Sequence, residues 1–213
     1  MSGYEIAHID ELEQLPVTAG NDSFVWRPVR RRFGITAFGT NVYSADRAGQ
    51  RVIEEHRERD NHEEMYVVLR GRATFTLGED NVDAPAGTLV FVRPGTLRTA
   101  FAAEDDTAIL AVGAKPGVAF EPSPWEDVFA AYSYAETGDL ERGREVVRAA
   151  IERLPDAWQG YYNSACMEAR FGDRDVAIEQ LAKAVELNPD EVRKAAATDT
   201  DFDSIRDDPR FPA

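Results

Sequence analysis

Gly49-Gln-Arg-Val-Ile-Glu-Glu-His56-Arg-Glu58-Arg-Asp-Asn-His62-Glu-Glu64-Met-Tyr66-Val-Val-Leu-Arg-Gly71 decides the fold reading of this 213-residue chain. The apolar run Met65–Leu69 is short and β-rich, and Arg70-Gly71-Arg72 turns the chain after it. Such runs bounded by glycine and charged clusters predict strands rather than helices. The pattern continues on both sides, with runs at Ile35–Phe38, Ala73–Leu77, Thr88–Val92 and Thr107–Val112. Turns are expected at Gly78-Glu79-Asp80-Asn81 and Glu104-Asp105-Asp106. Many short strands without intervening helices, from about Phe24 to Val112, favour a closed barrel or a sandwich, because either protects strand edges.

Lys115-Pro116-Gly117 and Glu121-Pro122-Ser123-Pro124 break that pattern, since proline withholds a donor and biases its predecessor away from helix. A domain boundary is placed there, giving segments 1–120 and 121–213. Beyond it Val128, Ala131, Tyr132 and Ala135 fall at helical spacing, and the segment repeats itself. Gly138-Asp139 recurs as Gly172-Asp173, and Leu154-Pro155-Asp156 as Asn188-Pro189-Asp190, each at an offset of 34. Gly138 and Gly172 are expected to end one helix in the left-handed conformation, with Asp139 and Asp173 capping the next. Asp156 with Gln159 reads as a further capping box. Gly143 lowers helix propensity by about 1 kcal/mol, which predicts a looser first hairpin. Cys166, among Ala165 and Ala169, reads as a small residue at a helix interface.

Composition narrows the functions. A net charge of −15 repels a phosphate backbone, so nucleic acid is a poor partner. The basic run Arg27-Pro28-Val29-Arg30-Arg31-Arg32 reads as a solvated strand edge or a contact with acidic protein surface. A single cysteine closes no intramolecular disulfide, which points to a reducing, cytoplasmic setting. No stretch has the length and apolarity of a signal peptide or membrane span.

Two resemblances follow from these residues. Gly49–Gly71, with Glu64 and Gly71 at the family's spacing and the six residues Met65–Arg70 between them, resembles the first cupin motif. Gly87-Thr-Leu-Val-Phe-Val-Arg-Pro-Gly-Thr-Leu-Arg98 resembles the second, so the motif core spans 49–101. The resemblance implies an antiparallel, jelly-roll-like β-barrel, frequently dimeric, with its site inside the open end. The family's His-x-His stands here as His56-x-Glu58, and its last metal-binding histidine as Arg98. The 34-residue period is similar to that of tetratricopeptide repeats, over 124–157 and 158–191. Ala177, Leu181, Ala184 and Pro189 match that family's positions, and 192–213 is expected to cap the array, with Phe202, Ile205 and Phe211 packing it down. The fold expected is therefore an α+β multidomain chain, a cupin barrel followed by all-α helical hairpins.

Chemistry concentrates in the charged run. His56 and Glu58 are two apart and so share a face of a strand; His62 and Glu64 do the same across a short turn. Two imidazoles and two carboxylates suit manganese, iron, nickel or zinc. The same run also reads as a solvated strand-turn-strand with surface ion pairs. Arg98, standing where the resemblance implies a ligand, opposes a cation and would pair with Glu64 or clamp an anionic ligand. Tyr66 and Val68 continue the face of Glu64, as cavity wall or as core.

Three functions stay open. One is a binding protein whose barrel holds a divalent metal or small anionic ligand while the hairpins contact another protein or a second copy of the chain. Another is a metal-dependent enzyme of the dioxygenase, isomerase or decarboxylase kind, with His62 or Glu58 as base. The third is an assembly module with a degenerate barrel, its stripe Trp125, Val128 and Tyr132 facing a partner or the barrel.

Overall fold

The computed structural model describes residues 4–19, 22–58, 61–122 and 124–212. The chain divides into two compact units, Met1–Pro122 and Ser123–Ala213.

In the first unit a 3₁₀ turn, Ile9–Glu11, precedes strands β1 (Leu15–Ala19) and β2 (Asp22–Arg27) and the short helix α1 (Val29–Phe33). Then come β3 (Gly39–Ala45), β4 (Arg51–His56), β5 (Glu63–Arg70) and β6 (Arg72–Leu77). They are followed by β7 (Asp80–Pro85), β8 (Leu89–Val92), β9 (Arg98–Ala102) and β10 (Thr107–Ala114). They build two antiparallel sheets, ordered β1-β2-β3-β10-β5-β8 and β4-β9-β6-β7. Alternation sets the faces: Tyr66, Val68, Val90 and Val92 point inward, where they share one core with Ile53, Phe75, Ala100 and Ile109 of both sheets. Leu69, Leu89 and Phe91 point outward and are exposed.

Several expectations are corrected here. The sheets are not closed into a barrel; each ladder ends at its own edge strands, and inward side chains of both layers share one core. Ile35–Phe38 is not a strand. Gly34 takes φ +63° to end α1, and its N–H and that of Ile35 bond back to Arg31 and Arg30, so pairing starts only at Gly39. The basic run lies largely in α1, where Arg32 pairs with Glu5 and Arg30 reaches the Ile35 carbonyl, so it is no strand edge. Asp80 and Asn81 belong to β7, whose outward positions are polar and whose inward Ala84 alone is fully buried, so its sequence looks like loop.

The second unit contains α2 (Pro124–Glu136), α3 (Leu140–Arg153), α4 (Trp158–Phe171), α5 (Arg174–Leu187) and α6 (Pro189–Ala196), with a 3₁₀ turn at Thr200–Phe202. Helices pack in the pairs α2 with α3 and α4 with α5, and the starts of α3 and α5 keep the 34-residue offset. Asp139 and Asp173 cap α3 and α5 through their side chains. Gly138 does adopt φ +94°, with Asp139 N–H bonded to the Tyr134 carbonyl at 2.8 Å. Gly172 does not: its φ is −128°, and a Cβ there would lie 2.0 Å from the Glu168 carboxylate. Nor does Asp156 cap α4, which begins after Ala157 with no side-chain cap. Gly143 is buried where a Cβ would meet the Ala131 carbonyl at 2.8 Å and Met167 Sδ at 3.0 Å, so this glycine marks close helix approach rather than looseness. Phe202, Ile205 and Val192 are fully buried against α4 and α5 residues, and Phe211 packs on Phe202.

Tyr132 packs among the helices and donates to Asp201. The Trp125 side chain, and Arg59 and Asp60 in the charged run, lie outside the described residues. Among the described residues, no helix is long and apolar enough to cross a membrane.

Candidate metal centre

His56 closes β4 and stands opposite Arg98, the first residue of β9. A register irregularity between Ile53 and His56 shifts the ladder just before this pair. Glu64 comes from β5 in the other sheet, so both layers contribute to one end of the sandwich. Glu58 lies beyond the strand, yet its position is fixed: Gly95 N–H donates to its carbonyl at 2.9 Å, and Arg57 donates to the Gly95 carbonyl at 2.7 Å.

These residues converge. His56 Nε2 is 3.7 Å from Glu58 Oε1 and 3.6 Å from Glu64 Oε2. One donor atom from each of His56, Glu58 and Glu64 lies within 4.8 Å of the others. His56 Nδ1 lies 2.9 Å from the Glu54 carbonyl, which fixes the proton on Nδ1 in the neutral ring and turns the Nε2 lone pair to the carboxylates. Tyr66 donates to Glu64 Oε2. The donor set of one imidazole and two carboxylates therefore fits a divalent transition metal.

Charge shapes the site further. Burial raises the Glu64 pKa, but the His56 ring, the Tyr66 hydroxyl and the Arg98 charge outweigh it and hold the carboxyl below its ordinary value. Burial lowers that of His56, and Glu64 with the Glu54 carbonyl more than reverses it, leaving the imidazole above its ordinary value. Burial and the adjacent Glu64 push the Tyr66 phenol well up, so it stays a proton donor. Arg98 is fully buried, with its Nε 3.8 Å from Glu64 Oε2 and, among the described residues, no hydrogen-bond partner on any guanidinium nitrogen.

His62 is not brought into this group. It precedes β5, off the strand, and its ring fills the space that Gly113 leaves free on β10, where a Cβ would come within 2.5 Å of Nε2. Spacing of two residues joined His62 to Glu64 only if both were on the strand. Tyr66 and Val68 are core residues, and Tyr66 touches the site through its hydroxyl alone.

A second cluster was not visible in the sequence. Cys166, Asp199 and Asp201 also place donor atoms within 4.8 Å of one another. The carboxylates are already engaged: Tyr162 donates to Asp199 at 2.7 Å, Tyr132 to Asp201 at 3.0 Å, and Arg170 lies 3.5 Å from Asp201. Burial and the two aspartates push the Cys166 thiol well up, which keeps it protonated and a poor ligand. The Asp-x-Asp pair in the tail was the available signal, but only the packing of the tail on α4 joins it to Cys166.

No curated protein sequence matches the chain. Among solved structures, a cupin protein from Bacteroides fragilis is 21% identical, over 58% of this chain and 93% of its own, with a TM-score of 0.39. A predicted oxalate decarboxylase from Thermotoga maritima is 15% identical, over 52% and 99%, with a TM-score of 0.45. A sugar phosphate isomerase from a cupin superfamily, from Silicibacter pomeroyi, is 13% identical, over 52% and 76%, with a TM-score of 0.43. The family model described as Cupin domain matches residues 45–113, which contain His56, Glu58, Glu64 and Arg98 and nothing of the helical unit. Residues 45–113 are thus similar to the cupin domain.

Proposed function

We propose that this protein is a metal-binding cupin in which His56, Glu58 and Glu64 hold a divalent transition ion. The observation that carries the reading is the convergence of those three donor atoms within 4.8 Å. His56 offers Nε2 because Glu54 holds its other nitrogen, and Tyr66 orients the Glu64 carboxylate. A bound ion would supply Lewis acidity to an oxygen ligand. Of the two bases an enzyme would draw on, Glu58 alone is in the group, so binding is favoured over turnover.

The helical pairs are read as tetratricopeptide-like repeats that contact protein, supported by the 34-residue offset and by a groove lined with Val128, Val147, Ala150 and Leu154. Pairing with a second copy is supported by the outward Leu69, Leu89 and Phe91 on β5 and β8.

Metal content of protein purified without an affinity tag tests the centre. Near-stoichiometric metal in the wild type, lost in the double variant His56→Ala with Glu64→Ala, is the expected result. Absence of metal from wild-type protein equilibrated with manganese, iron, nickel and zinc in turn would reject it.

A further inference from the structure

Arg98 is the most anomalous side chain in the first unit. It is fully buried between the sheets, and among the described residues Nε, Nη1 and Nη2 all lack a hydrogen-bond partner. A guanidinium carries five N–H donors, and burying it unpaired costs several kcal/mol. The nearby Glu64 oxygen, 3.8 Å away, is already shared with Tyr66 and His56 and cannot satisfy that fork.

We propose that Arg98 anchors the carboxylate of a small monoanionic ligand, which enters beside the metal and closes the charge balance of the site. This rests on the metal-centre reading for the charge of the ligand. A divalent ion with Glu58, Glu64, Arg98 and a neutral His56 leaves one positive charge over, and a monocarboxylate cancels it. A planar carboxylate matches the guanidinium fork with two parallel hydrogen bonds; phosphate can do the same, but it is larger and carries more than one negative charge on average at neutral pH, so it overshoots the charge balance.

The layout gives the ligand a direction. His56 and Glu58 side chains are 33% and 30% exposed, Glu64 14%, and Arg98 0%. Exposure therefore falls from His56 and Glu58 through Glu64 to Arg98. The β4–β9 ladder sets His56 and Arg98 opposite each other, so an anion on the guanidinium lies beside the metal donors.

The test titrates full-length protein with acetate, glycolate, oxalate and inorganic phosphate by calorimetry, each with and without manganese. Arg98→Met and Arg98→Gln are titrated in parallel, and thermal unfolding is recorded for each. A carboxylate is expected to bind the wild type and to lose about tenfold or more in affinity in both variants, while metal binding persists. Both variants are also expected to unfold at the same or higher temperature, because they remove a buried guanidinium that has no hydrogen-bond partner among the described residues; a merely structural arginine would show the reverse. Carboxylate binding that survives both variants, tighter binding of phosphate, or a clear drop in unfolding temperature in both would overturn the inference. Metal binding with no carboxylate binding would overturn it while leaving the metal centre intact. Carboxylate binding through Arg98 without any metal would sustain the anchor and remove the metal centre instead.

Discussion

At the residue scale the site depends on second contacts as much as on its donors. Tyr66 has its ring in the core, 5.6 Å from Phe75, and its hydroxyl on Glu64. Tyr66→Phe keeps the packing and removes the orienting hydrogen bond. Metal affinity is expected to fall by about tenfold, read by competition with a chromophoric chelator, with little change in unfolding temperature. His56 and Glu64 were legible because a family spacing frames both. His62 lies outside the convergent group because spacing tells which face a residue takes only once the strand's first residue is known, and β5 starts one residue after it. The consequence of Arg98 was half legible: the sequence shows the residue, but its burial and empty donors come from the layers around it.

Elements meet at glycines whose reasons differ. Gly143 lets α3 approach the α2 backbone, and the contact atom is a carbonyl oxygen that cannot swing aside. Gly143→Ala would gain about 1 kcal/mol of helix propensity. It would lose about 1–3 kcal/mol to overpacking. Net destabilisation is expected, seen as a lower urea midpoint; a stabilised variant would show that the two helices part freely. Gly172 instead makes room for Glu168, which forms two charged hydrogen bonds with Arg144 at 2.6 and 2.7 Å and accepts from Asp173 N–H at 2.9 Å. Thus two turns that look alike in sequence end their helices differently, one by a left-handed glycine and one by a buried carboxylate. The alternation of β5 and β8 was readable, whereas β7 was hidden by its polar outer positions.

For the whole molecule, ionisation ties stability to pH. Burial raises the Glu168 pKa, but Arg144 and the Asp173 amide outweigh it and the folded value is depressed. Its contribution is therefore fully present above the unfolded carboxyl value of about 4.3 and is lost as pH falls through the folded one. Glu168→Gln is expected to cost about 1–3 kcal/mol at pH 7, with the gap to wild type closing in acid. Denaturant melts at pH 7 and pH 3 measure this, and a gap that stays constant would place Glu168 outside the linkage. Asp201 works in the other direction, since burial raises its pKa and protonation relieves it, so the acid loss of wild type is shallower than Glu168 alone implies. By itself the sequence determined what local periodicity and spacing carry: a strand-rich part and a helical part, a 34-residue repeat, a cupin motif around Glu64 and Gly71, and the metal-competent residue types. Only the tertiary structure decided that the sheets stay two layers, that Glu58 joins the donors and His62 does not, and that Arg98 is buried without hydrogen-bond partners among the described residues. Those outcomes depend on which strands become neighbours across the sandwich, and distant pairings of that kind leave no periodic trace along the chain.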